Sequence, residues 1–171
     1  MNYIVVADAG PLINFLALDR MDLFGLHPAE IVITDHVVAE ITDSYPVQLL
    51  RLSSAIENGF LRTETIERLE IVELFVRLRS SGRLGAGECS SIAFSHFNSA
   101  CILMDDRRAV KATKELSDKI PVVGSGDFLL ELIACGKLSV GDADQILHAW
   151  ATQHRFRLPF QSFADVLIDS K

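Results

Sequence analysis

A chain of 171 residues suits one domain, expected over 1–171, and can bury a sizeable core without disulfides or structural metals. Apolar residues at 49% and charged residues at 23% exclude a disordered chain and fit a folded soluble one. A net charge of −7 opposes the basic footprint that phosphate contacts want, so a nucleic-acid role requires cations to neutralise part of the acid.

The first ten residues hold no basic stretch, so no signal peptide is expected. No apolar run approaches the ~20 residues of a membrane helix, so no membrane partner is expected. Cys89, Cys101 and Cys135 are odd in number and lack metal spacing, which predicts buried thiols and a cytoplasmic location.

Along the chain, Tyr3–Ala7 and Ile31–Thr34 are continuous apolar runs, the pattern of strands covered on both faces. Asp35–Thr42 reads as a short helix opened by Thr34 or Asp35. A weaker extended piece follows the turn residues Asn58 and Gly59, over Phe60–Thr63. Thr65–Ser80 carries apolar residues at helical spacing between Glu and Arg. Gly87–Phe97 is helical, Cys101–Met104 a strand, Arg107–Ser117 a helix and Pro121–Val123 a strand. Helices over Asp127–Cys135, stopped by Gly136, and Val140–Gln153 complete the set. A last amphipathic segment, Phe160–Ile168, places 139–171 as helical, packed on the domain or at a subunit interface. Strands alternating with helices predict an α/β fold, a doubly wound parallel sheet with right-handed crossovers.

In such sheets ligands bind outside the carboxyl ends of the strands, where the strand order reverses. Asp8 follows the first strand, and Asp105 and Asp106 follow Cys101–Met104. Glu40 falls at the edge of an apolar helix face with Val37, Val38 and Ile41. Glu88 shares a face with Cys89 and Ile92. A carboxylate pressed on apolar surface is expensive unless a cation or hydrogen bonds compensate it. If these acids converge, the pocket is all oxygen and suits Mg²⁺ or Mn²⁺. Setting four of them aside brings the charge from −7 to −3.

Other motifs are weaker. Gly82–Gly87 lacks the Gly-Lys-Ser/Thr ending of a phosphate loop, and Gly124-Ser125-Gly126 lacks the third glycine of a dinucleotide fingerprint. Asp8-Ala9-Gly10 is not the Asp-x-Asp of a haloacid-dehalogenase site. His36 and Glu40 have a zinc-compatible spacing without further ligands, so His36 reads as a surface histidine. Arg107, Arg108, Lys111 and Lys114 form the one local basic cluster, either a phosphate path or a solvated helix face. Trp150, Phe156, Phe160 and Phe163 read as packing for the C-terminal helices or a subunit interface rather than as base-stacking platforms.

The segments VVADAGPLINFLA, VITDHVVAEI, LGAGECSSIAFSH and ILMDDRRAVKAT, followed by PVVGSGDFLLELIACGKL, resemble the PIN-domain family, VapC-like toxin ribonucleases included, over essentially the whole chain. That resemblance implies a PIN-like parallel sheet of about five strands and a metal-dependent nuclease, hence hydrolase, acting on single-stranded RNA. It places the family acids on Asp8, Glu40, Glu88 and Asp106, as catalytic residues and ligands of magnesium or manganese, with Asp105 an alternate ligand. Asn14, Arg107 and Lys111 are then candidate substrate contacts. It further implies a homodimer and, for a toxin–antitoxin pair, an antitoxin protein as partner. Ala9, Gly10 and Met104 stand where relatives often carry hydroxyls, which bears on metal affinity. A catalytically weak PIN module acting through protein binding, and a small-molecule phosphohydrolase, are the competing readings.

Overall fold

The computed structural model describes residues 3–169. Its centre is a five-stranded sheet, all parallel: β1 (Ile4–Ala7), β2 (Glu30–Thr34), β3 (Arg62–Glu64), β4 (Cys101–Leu103) and β5 (Val122–Val123), in the order β3-β2-β1-β4-β5. The chain winds outward from β1 to β3, then crosses back to lay β4 on the other side of β1. The reversal falls between β1 and β4, and the crevice expected to bind ligands lies at their carboxyl ends.

Side chains along β1, β2 and β4 alternate between the apolar layers on the two faces of the sheet, whereas the edge strand β3 (Arg62–Glu64) is polar and largely exposed. Val5, Ala7, Ile31, Ile33 and Leu103 enter the larger core, while Val6 and Val32 face a second and Ile102 a third. Both faces of these central strands are therefore covered, which is why they read as unbroken apolar runs. Helix α1 (Ala9–Ala17), α2 (Asp22–Leu26) and α4 (Pro46–Glu57) supply residues to the larger core, joined by α8 (Ser125–Ala134), α9 (Val140–Gln153) and α10 (Phe163–Asp169). On the opposite face α5 (Leu69–Ser80) and α6 (Ala86–Asn98) pack as neighbours, with α7 (Arg107–Leu116) beside them. Helix α3 (Asp35–Ser44) leads from β2 and packs on α6.

Several expectations need correction. Three helices, α1, α2 and α4, have no counterpart in the sequence reading. Pro11 and Pro46 obscure α1 and α4, yet each lies in a first turn, where the missing N–H has no partner to lose. Helix α5 starts at Leu69 rather than Thr65, leaving Ile66 buried in the loop before it. Helix α8 starts at Ser125 rather than Asp127, because Asp127 Oδ2 accepts from the Gly124 N–H and caps the helix. The last segment is helical from Phe163 rather than Phe160. Cys89 is buried, but Cys101 is half-buried and Cys135 exposed, so uniform burial of the thiols does not hold. Among the described residues, no helix is long and apolar enough to cross a membrane.

Candidate metal centre

Asp8 stands directly after β1, its own N–H bonded to the Leu103 carbonyl of β4 at 3.0 Å, so the backbone fixes it at the switch point. The residue is 4% exposed, and its Oδ1 is buried without a hydrogen-bond partner among the described residues. Such an oxygen normally forfeits about 1–3 kcal/mol unless something binds it. The Ala9 and Gly10 amides at the start of α1 oppose the cost electrostatically, although Asp8 makes no side-chain cap bond.

Two more carboxylates reach the same place from other elements. Glu40 extends from an exposed position on α3, and a Cβ built on Gly87 would lie 2.6 Å from its Oε2 and 3.7 Å from Asp8 Oδ1. Gly87 is thus the spacer across which Asp8 and Glu40 face each other. Glu88, the third residue of α6, turns back to accept the Gly85 N–H at 2.8 Å and so caps the start of the helix. The start of α6 is pinned to β2 by a buried Thr34–Ser90 hydroxyl pair at 2.6 Å, with Ser90 also donating to the Gly87 carbonyl at 2.8 Å. Thr34 in turn caps α3, accepting from the Val37 N–H. One small polar knot therefore sets the positions of both helices that carry glutamates.

The electrostatics follow from that crowding. Burial first, then the Glu88 and Glu40 carboxylates, push the Asp8 carboxyl up to about 7. Burial and Glu88 likewise raise Glu40, opposed by the Gly87 N–H. A carboxyl raised in the fold holds a proton that the unfolded chain has already released. Asp8 thus contributes most to stability below about pH 4, and that contribution is lost as pH rises through about 7. Without divalent ions the melting temperature should fall between pH 5 and pH 8. Added Mg²⁺ or Mn²⁺ should raise it more at pH 8 than at pH 6, since protons compete with the ion. A metal-induced shift that is equal at both pH values would contradict this.

The two aspartates after β4 behave differently from these three and from each other. Asp105 gives both oxygens to Ser125 at the start of α8, Oδ1 accepting from the N–H at 2.8 Å and Oδ2 from the hydroxyl at 2.6 Å. Burial raises its carboxyl against those bonds. Asp106 caps α7, its Oδ1 accepting from the Arg108 and Ala109 N–H groups at 2.8 and 3.1 Å. Burial works to raise Asp106, but those amides and the Arg108 guanidinium prevail and hold it low. Its Oδ2 makes no hydrogen bond within the described residues. The influences that raise Asp8 most are its burial, Glu88 and Glu40 rather than either of these aspartates.

Asp8, Glu40 and Glu88 are brought together, and Asp105 and Asp106 sit along the adjoining cleft with Asn14. Arg107 and Lys111 are exposed on α7, Lys111 loosely paired with Glu115 at 3.8 Å, and Arg107 makes no ion pair among the described residues. His36 turns to Asp35 at 2.9 Å and lies over Phe75, away from any zinc-like arrangement with Glu40. Trp150 and Phe163 are fully buried as expected of packing residues, whereas Phe156 is half-buried at the cleft. The roles of Gly87, Ser90 and Ser125 are absent from the sequence reading; the small residues between Gly82 and Ser91 were the only hint of a close approach.

Among the described residues, no three His, Cys, Asp or Glu side chains converge closely enough to hold an ion as they stand. The donor chemistry nonetheless fits a hard divalent cation. Mg²⁺ takes only one or two carboxylates directly and keeps several waters, and Asp8 Oδ1 is a buried acceptor lacking a partner. Gly87→Ala tests the geometry, because the added Cβ must displace the Glu40 carboxylate. It should fold, the 3.3 Å approach of the new Cβ to the buried Val37 Cγ2 offsetting part of the helix-propensity gain, yet lose about tenfold or more of any metal-dependent activity. Full activity would show that Glu40 is not held at that point for function.

A doubly wound parallel sheet with a buried acid pocket at its switch point defines an α/β protein of the kind that binds ligands at strand ends. The family model described as DUF3368, a PIN domain, matches residues 4–171, and the chain belongs to the PIN-domain family. PIN domains are typically nucleases, and they generally use divalent metal ions. No curated protein matches the chain.

Proposed function

We propose that the protein is a divalent-metal-dependent endoribonuclease that hydrolyses phosphodiesters of single-stranded RNA. The observation that carries this reading is Asp8, a buried carboxylate with an unpartnered oxygen at the switch point, crowded by Glu40 and Glu88. Like charges packed this closely are costly unless a cation offsets them.

Asp8, Glu40 and Glu88 would hold Mg²⁺ or Mn²⁺, and Asp106 is the better fourth acid, since only one of its oxygens is committed to the α7 cap. Asp105, with both oxygens on Ser125, supports the start of α8 instead. When bound, the ion supplies Lewis-acid polarisation of the phosphodiester and lowers the pKa of water. With its carboxyl pushed up to about 7, Asp8 is only partly ionised at neutral pH, and a bound cation would favour the ionised form, which couples metal loading to the reactive protonation state. Exposed Arg107 and Lys111 on α7 offer positive charge to the RNA backbone next to Asp106. No side chain is required as covalent nucleophile.

The same reading includes a toxin of a toxin–antitoxin pair, working as a homodimer in the cytoplasm. The acidic surface suits a basic antitoxin segment, and Val47 and Leu50 are 74% and 79% exposed on α4, an apolar surface open to a partner. A second reading, a weak or silent PIN module acting through protein binding, draws on the commitment of Asp106 and Asp105 to helix starts.

The deciding experiment incubates the protein with unstructured RNA in Mn²⁺, Mg²⁺ or EDTA and analyses the ends. Cleavage with either metal, none in EDTA, and 5′-phosphate ends are expected. Cleavage in EDTA would sink the mechanism. Metal-induced stabilisation without cleavage would favour the binding module.

A further inference from the structure

A cleft of about 600 Å³ opens between α1, the start of α4 and the chain just past α9. That volume is within the range of small-ligand sites. Gly10 forms part of its wall, and a Cβ there would lie 4.0 Å from Asp8 Oδ2. The cleft and the acid pocket are therefore separated by the thickness of one glycine. Asp105 and Asp106 border it as well.

Two half-buried carboxamides line the cleft, Asn14 from α1 and Gln48 from α4. Neither makes a side-chain hydrogen bond within the described residues. The Asn14 backbone is fixed, its carbonyl accepting from Trp150 Nε1 at 2.9 Å. Two aromatic rings share the cleft, Tyr45 just before α4 and Phe156 just past α9. Phe156 is held edge-on against the buried Trp150, with ring centroids 5.2 Å apart at 82°.

We propose that this cleft is a base-recognition subsite, in which one unstacked RNA base packs on Tyr45 and Phe156 and is read by the Asn14 and Gln48 carboxamides. The inference rests on the ribonuclease reading for its substrate class. A carboxamide presents a donor and an acceptor side by side, which matches a base edge carrying the same pair. Aromatic stacking holds any base, so the choice among bases falls to the amides. A site built to hydrogen-bond one edge leaves its own polar groups unpaired against the wrong one, and so rejects it. A base seated there brings its phosphate toward Asp8 past Gly10. The cleft thus gives the enzyme a preference at one position beside the scissile bond.

The test uses the four nucleoside 5′-monophosphates, which offer no internucleotide bond to cut. Each is titrated into the isotope-labelled protein in Mg²⁺, with dissociation constants and side-chain amide shifts read by NMR. One base should bind about tenfold more tightly than the weakest, as expected for two neutral hydrogen bonds. The Asn14 and Gln48 side-chain amide signals should move on binding. Gln48→Leu should flatten the preference, Tyr45→Ala should weaken all four alike, and Asp8→Asn should leave the preference in place. Equal affinities, unmoved amide signals, or a preference that survives both Gln48→Leu and Asn14→Leu would overturn the subsite. Failure of the two readings is separable. A protein that cleaves RNA but binds all four bases alike refutes the subsite alone. One that shows the Gln48-dependent preference but never cleaves refutes the nuclease alone.

Discussion

Asp8→Asn is expected to reduce metal-dependent RNA cleavage about 10³-fold or more, while raising the thermal stability of the metal-free protein at pH 8. The two effects share one cause. Asp8 is 4% exposed, its Oδ1 lacks a partner, and two carboxylates lie beside it, so its ionised form is held at a cost that a cation would repay. Asn is nearly isosteric and uncharged. It removes that cost, and with it an anionic ligand whose contribution to metal chemistry is several kcal/mol. The gain in stability should shrink as pH falls below about 4, where the wild-type carboxyl becomes protonated in both folded and unfolded chains. Stabilisation by Mn²⁺ should also be largely lost in the variant. Melting curves over pH, with and without Mn²⁺, together with cleavage rates on unstructured RNA, measure all of this. A variant less stable at pH 8 than the wild type would mean that Asp8 holds the fold rather than a cation.

Trp150→Ala is expected to destabilise the protein by about 3–5 kcal/mol, the usual cost of truncating a large buried aromatic. Trp150 is 0% exposed and joins three parts of the chain. Its ring meets Phe15 of α1 edge-on at 5.0 Å and Phe156 at 5.2 Å, and its indole N–H donates to the Asn14 carbonyl. Truncation opens a cavity between α9 and α1 and orphans that carbonyl. At this chain length the melting temperature should fall by on the order of 10 °C. Trp150→Phe keeps most of the packing and loses the hydrogen bond, so about 1–2 kcal/mol is expected. Thermal or urea denaturation separates the two. Equal losses for Ala and Phe would place the energy in the hydrogen bond rather than in the packing.

The central strands were legible because a parallel sheet buried on both faces leaves continuous apolar runs, as in Ile4–Ala7 and Ile31–Thr34, whereas the polar edge strand β3 lies at Arg62–Glu64 rather than Phe60–Thr63. Helices α1 and α4 were not, because Gly10 and the prolines Pro11 and Pro46 look like breakers when their place in a first turn is unknown. Strand-end placement made Asp8 legible, and an acid on an apolar helix face flagged Glu40 and Glu88. Which of Asp105 and Asp106 stays available was not readable. The answer depends on Ser125, twenty positions away, whose N–H and hydroxyl both bind Asp105. The cleft was equally hidden, since Gln48 belongs to a helix the pattern did not reveal, Tyr45 stands just before that helix, and Phe156 is held there by Trp150, which anchors the chain past α9.

The most direct measurement is an anomalous difference map from a crystal of the protein grown or soaked in Mn²⁺ at pH 8. Expected is a peak at coordination distance from Asp8 Oδ1, with Glu40 or Glu88 as a further ligand or holding the ion through water. No peak at Asp8 under saturating Mn²⁺, or peaks at other residues only, would contradict the metal centre.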